Sequence, residues 1–72
     1  MNNKVRVVTL GDGFSFLFLH DSAGVRMVNI EHIKSLVPNF RLGGTMIFMT
    51  HSDKAITVDI DPEDIAAVLI NQ

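Results

Sequence analysis

Apolar residues recur at every second position through several short segments, and clusters of Gly, Asp, Asn and Ser separate those segments. Lys4 to Leu10 is β-branched and alternating, which is the pattern of a strand with one buried face. The run stops at Gly11-Asp12-Gly13 and resumes at Phe14. Asp-Gly tolerates the positive φ angles of a tight turn, so the first two runs are predicted to pair as an antiparallel hairpin. The second run reaches about His20 and ends at Asp21-Ser22-Ala23-Gly24, another turn cluster. Val25 to Ile30 then reads as a short strand or extended segment.

From Ile30 the spacing changes, and Ile30, Ile33, Leu36 and Val37 would share one helical face. Asn29 is a suitable N-cap, because its side-chain oxygen can take a free backbone N–H at a helix start. Pro38 would end the element, since the residue before proline avoids helical geometry. One or two helical turns between Ile30 and Leu36 are therefore predicted. A loop follows, with Gly43-Gly44 at its turn, and a second hairpin is expected from Thr45–Thr50 and Ala55–Ile60. In its second arm Ile56, Val58 and Ile60 should point inward and Thr57 and Asp59 outward.

The last element has the most complete signature. Asp61 is placed as N-cap, Pro62 as the first helical residue, and Glu63 and Asp64 put acids in the first turn. Ile60 and Ile65 have the spacing of a hydrophobic staple, and Ile65, Val68 and Leu69 form the stripe to be buried. With Ala66, Ala67 and Ile70 beside that stripe, this helix too is expected to be covered on more than one side. The predicted fold is a single α+β domain over residues 1–72. Its antiparallel sheet has four to five strands from two hairpins, a short helix between them and a C-terminal helix packed on the sheet.

Composition sharpens one feature of this pattern. Phe14-Ser15-Phe16-Leu17-Phe18-Leu19 and Met46-Ile47-Phe48-Met49 are apolar on both faces if they are strands, and such strands need cover on both sides. A chain of 72 residues, 47% of them hydrophobic and 19% charged, has little material for two covers. The surplus is expected to meet a second copy, a protein partner or an apolar ligand. A homo-oligomer, dimer or larger, is the leading expectation, with Phe14, Phe16, Phe18, Met46, Phe48 and Met49 as its contact residues. A small-molecule pocket between sheet and helix, or at a subunit junction, is the alternative.

Candidate chemistry is sparse. The six basic residues are scattered singly against a net charge of −2, whereas nucleic-acid binding usually rests on clustered positive charge. Phe14, Phe16 and Phe18 could stack bases but lack flanking cations, so packing explains them better. There is no cysteine, which removes disulfides and thiolate zinc sites. His20, His32 and His51 lack the local spacing of a zinc motif, although His20 and His51 at two strand ends could meet. Asp59, Asp61, Glu63 and Asp64 do not follow the Ca²⁺-loop pattern, and a helix start accounts for three of them. Serines lack a nucleophile-elbow context, and Gly11-Asp12-Gly13 precedes a strand rather than the helix start that cradles phosphate. The expectation is a non-enzymatic cytoplasmic accessory protein with no cofactor, no metal, no nucleic acid and no membrane partner. No signal-peptide core or membrane span is legible.

One resemblance adds to this reading. It is carried by Val28-Asn29-Ile30-Glu31-His32-Ile33-Lys34-Ser35-Leu36, Thr45-Met46-Ile47-Phe48-Met49, Ala55-Ile56-Thr57-Val58-Asp59 and Glu63-Asp64-Ile65-Ala66-Ala67-Val68-Leu69. Together they resemble the FlbD-type flagellar and swarming motility proteins of bacteria, short cytoplasmic chains with a strand, Ile-x-x-Ile turn, hairpin and terminal helix. Leu10-Gly11-Asp12-Gly13-Phe14 falls where that family has a Leu-Asn-Gly turn. The chain departs from the family between Phe18 and Val28 and in its longer loop around Phe40-Arg41-Leu42-Gly43-Gly44. The resemblance implies an accessory role in motility and transfers no functional residue.

Overall fold

The computed structural model describes residues 4–70, and the polar lead-in Met1-Asn2-Asn3 lies outside them. Six strands form two three-stranded antiparallel sheets, each in chain order. The first holds β1 (Val5–Thr9), β2 (Ser15–Asp21) and β3 (Gly24–Asn29); the second holds β4 (Ile33–Pro38), β5 (Thr45–Met49) and β6 (Ile56–Val58). Helix α1 (Pro62–Ile70) follows and packs against β1 and β4, one strand from each sheet.

Both expected hairpins form, with Val7 opposite Leu17 in the first and Ile47 opposite Ile56 in the second. At the first turn the Leu10 N–H donates to the Phe14 carbonyl (2.8 Å) and the Gly13 N–H to the Leu10 carbonyl (3.0 Å). Gly13 has φ +93°, a conformation that costs glycine little and most residues much. In β6 and its continuation, Val58 and Ile60 are buried, Ile56 packs on the core, and Thr57 and Asp59 are exposed. The start of α1 also matches its signature: the Glu63 N–H donates to Asp61 Oδ1 (3.0 Å) and the Asp64 N–H to the Asp61 carbonyl (3.0 Å).

The expectation of a single sheet of four to five strands with a helix in the middle is corrected on both points. Asn29 does cap, its Oδ1 accepting the Glu31 N–H at 3.0 Å, but the helix it starts is one 3₁₀ turn, Ile30–His32. The chain then runs extended as β4. Ile33 pairs with Met49, Ser35 with Phe48 and Leu36 with Ile47, so the register slips by one residue around Lys34. Such a β-bulge puts two residues on one strand against one on its partner. It brings Ile33 and Leu36 onto the same core-facing side although they are three apart, and a 3₁₀ turn sets Ile30 there as well. The helical spacing in the sequence is thus a turn followed by a bulged strand. Pro38 is the last residue of β4, an edge strand, where a missing N–H leaves no ladder bond unmade.

The 3₁₀ turn also separates the sheets, which share one core. Val5, Leu17, Leu19 and Val28 from the first sheet join Ile47 and Val58 from the second, with Ile60 and Ile65 from the helix and its approach. Two polar contacts fix the joints. Buried Thr45 donates its hydroxyl to the Ile60 carbonyl (2.7 Å), tying the start of β5 to the segment that enters α1. Asp21, at the end of β2, accepts the Asp59 N–H on Oδ2 (3.1 Å) and the Ala23 N–H on Oδ1 (3.0 Å), tying one sheet to the other.

Candidate functional site

The alternation of β2 decides where the surplus apolar surface goes. Leu17 and Leu19 are almost fully buried, so Phe16 and Phe18 lie on the opposite, outer face, each half-buried. Pairing extends this outer face across the sheet: Val8, Phe16 and Asn29 form one row, and Arg6, Phe18 and Met27 the next. His20 opposite Val25 makes a third. Val8, Phe16, Phe18, Met27 and Val25 therefore form a connected apolar patch, since same-face neighbours on adjacent strands lie within side-chain reach. Val25 is 55% exposed and Met27 52%. The Arg6 guanidinium sits over the Phe18 ring, 4.6 Å from its centre, which brings one cation onto the patch.

The six residues expected to share one contact surface are distributed over four places. Phe16 and Phe18 are on this patch. Phe14 precedes β2, in the hairpin turn, where its N–H donates to Asp12 Oδ1 (3.2 Å) and its side chain is exposed, as is that of Leu10. Met46 and Phe48 belong to the outer face of the second sheet, Met46 between Val37 and Thr57 and Phe48 opposite Ser35, both half-buried. Met49 is packed against the core. Val25 and Met27 were not among the expected contacts, although their alternation with buried Val28 was visible in the sequence. Phe40 and Leu42, almost wholly exposed in the β4–β5 loop, had no sequence signal beyond their loop position. In α1, Ile65 is buried and Val68 and Leu69 pack on the core, while Ala67 and Ile70 are exposed, so this chain covers the helix on one side.

Of the three histidines, His20 is on the outer face of β2, and the pair that meets is His32 with His51 rather than His20 with His51. Their ring centres are 5.4 Å apart, inclined at 56°. Among the described residues no group of three or more His, Cys, Asp or Glu side chains gathers as a metal cluster. The Asp61 carboxylate is engaged in capping α1. Asp21 is held below the usual carboxylate range, chiefly by the Asp59 N–H and further by the Ala23 N–H, Arg26 and the Gly24 N–H, against an opposing effect of burial.

A surface hollow of about 290 Å³ is bounded by Asp21 and Ala23 at the β2–β3 turn, Leu42 and Gly43 in the β4–β5 loop, and Thr57 and Asp59. Its lining comes from turns, a loop and the outer edge of β6 rather than from α1. No helix among the described residues is long and apolar enough to cross a membrane. No protein-family model matches the chain, and no curated protein or solved structure matches it significantly.

Proposed function

We propose that this protein is a non-enzymatic interaction module that associates with copies of itself through the outer face of the β1–β2–β3 sheet. One observation carries the reading: Val8, Phe16, Phe18, Met27 and Val25 are contiguous in the β-ladder on the side away from the core, with half of Val25 and Met27 open to solvent. Monomeric proteins seldom leave a connected apolar face uncovered. The few charges in the chain, 19% of residues, leave little repulsion to oppose pairing of two such faces. A second copy is the occupant in this reading because a two-fold pair sets the same patch of each chain against the other and so covers both apolar faces at once. Three strands at about 4.8 Å spacing give a face about 14 Å wide, which belongs with small, reversible interfaces. In this reading the module works in the cytoplasm and, once assembled, holds a protein partner. The resemblance to FlbD-type proteins adds motility as a process to examine.

Light scattering over a micromolar dilution series tests the proposal. The wild type should show a mass above that of one chain at high concentration, and a Val25→Lys/Met27→Lys variant should be monomeric while keeping its far-UV circular dichroism. A wild type of single-chain mass at every concentration overturns the reading. So does a double-lysine variant that assembles as the parent does.

A further inference from the structure

We propose that His32 and His51 form a two-imidazole site for a transition-metal dication of the Zn²⁺ and Cu²⁺ class, at the end of the second sheet and independent of the self-association face. The sequence separates the two residues, and the fold joins them. Beyond the last β4–β5 pair, Ile33 with Met49, the Thr50 N–H donates to the His32 carbonyl at 2.8 Å. That bond carries the ladder one step further and sets the 3₁₀ turn beside the turn that holds His51.

The spacing of the rings fits an ion held between them. Zinc–nitrogen bonds are about 2.0–2.1 Å, so an ion sits about 3.2 Å from the centre of a ligating imidazole once the ring radius is added. Two such ligands at a tetrahedral angle have ring centres about 5.2 Å apart, against 5.4 Å here. The rings are inclined at 56° rather than stacked in parallel, as two ligands converging on one point can be. Thr50 Oγ1 lies 3.4 Å from His32 Nδ1. With Nδ1 facing that hydroxyl, Nε2 is the nitrogen this proposal assigns to the ion; the other ring nitrogen of a metal-bound histidine is commonly hydrogen-bonded behind it. Both histidines are exposed, so an ion reaches them from solvent. Imidazole suits Zn²⁺, Cu²⁺ and Ni²⁺, whereas Ca²⁺ and Mg²⁺ require oxygen ligands. With two protein ligands, the remaining coordination positions belong to water, and the ion is exchangeable.

Titration calorimetry of the full chain with Zn²⁺ and with Cu²⁺, each against wild type, His32→Ala, His51→Ala and His20→Ala, tests the site. One ion per chain should bind to wild type and equally to His20→Ala, with Cu²⁺ tighter than Zn²⁺. Holding two ligands on one scaffold raises affinity by about 10²- to 10⁴-fold over either alone. Each of His32→Ala and His51→Ala should therefore weaken binding by about 10²-fold or more. Zn²⁺ should raise the melting temperature of wild type and His20→Ala but not of the other two variants, and acid should weaken binding because only neutral imidazole ligates. Absence of uptake by wild type would overturn the proposal and leave the pair as a ring contact. Uptake unchanged in either His32→Ala or His51→Ala, or lost equally in His20→Ala, would overturn it as well.

Discussion

Met27→Ala puts a magnitude on the self-association face. Met27 lies on the outer side of β3, opposite Phe18, and is 52% exposed. Fully burying a methionine side chain is worth about 1.5–3 kcal/mol, so covering the exposed half is worth about 0.8–1.5 kcal/mol in each copy. In a two-fold dimer the same residue contributes from both sides. Truncating it should weaken the dimer by up to about 1.6–3 kcal/mol, or about 15- to 140-fold in Kd at 1.4 kcal/mol per decade. The separated chain should be less affected, because an exposed strand position responds within about 1 kcal/mol. Sedimentation equilibrium gives the Kd, and urea unfolding of the dilute protein gives the stability. A Kd within twofold of the parent, with folding intact, would show that the β3 side of the face does not touch the second copy and refute the assignment of the patch.

Three further outcomes follow from the joints of the fold. Thr45→Val keeps the shape of the side chain but removes the hydroxyl that donates to the Ile60 carbonyl inside the core; chemical denaturation should show a loss of about 1–3 kcal/mol, with Thr45→Ser retaining the bond and losing less. Gly44 has φ +82°, and a Cβ there would fall on the Val58 carbonyl oxygen. Gly44→Ala should therefore cost more than the about 1–3 kcal/mol of a left-handed non-glycine residue alone, and a thermal melt within a degree or two of wild type would contradict the close approach of loop and β6. Asp21 has its pKa lowered mainly by the Asp59 N–H, so its contribution is present above the ordinary carboxylate range and lost as pH falls through the depressed value. The stability gap between wild type and Asp21→Asn should be present at neutral pH and shrink below about pH 4; a gap unchanged down to pH 2 would mean that the charge plays no part.

Much of the local structure could be read because its causes are local. Asp12-Gly13 makes a turn through backbone freedom, and Asp61-Pro62 starts a helix through a cap and a preset φ; neither depends on distant contacts. Ile56, Val58 and Ile60 kept their predicted face because period-two alternation has a single solution when one side meets a core. The segment Ile30 to Val37 departs from the helix its spacing predicts for an equally physical reason. A three-residue spacing is the mark of a helix, but a 3₁₀ turn and a bulge at Lys34 also bring Ile30, Ile33 and Leu36 to one side. Packing against Met49 and Ile47 chose the second solution. Of the candidate site, the outward grease of β2 was legible in Phe16 and Phe18. Its extension to Val25 and Met27 awaited the register, and the transfer of Met49 to the core awaited the second sheet.

By itself the sequence determined an α+β chain of short strands, the two hairpins, the cap and start of the last helix, and an excess of apolar surface over what so small a body can hide. Those properties follow from residue types and near-neighbour spacing. Tertiary structure decided that there are two sheets, that they share one core, which outer face joins into a patch, and that His32 rather than His20 meets His51. Each of these is a pairing between residues remote in the chain, and its sign is set by the competition of whole elements for the same buried space.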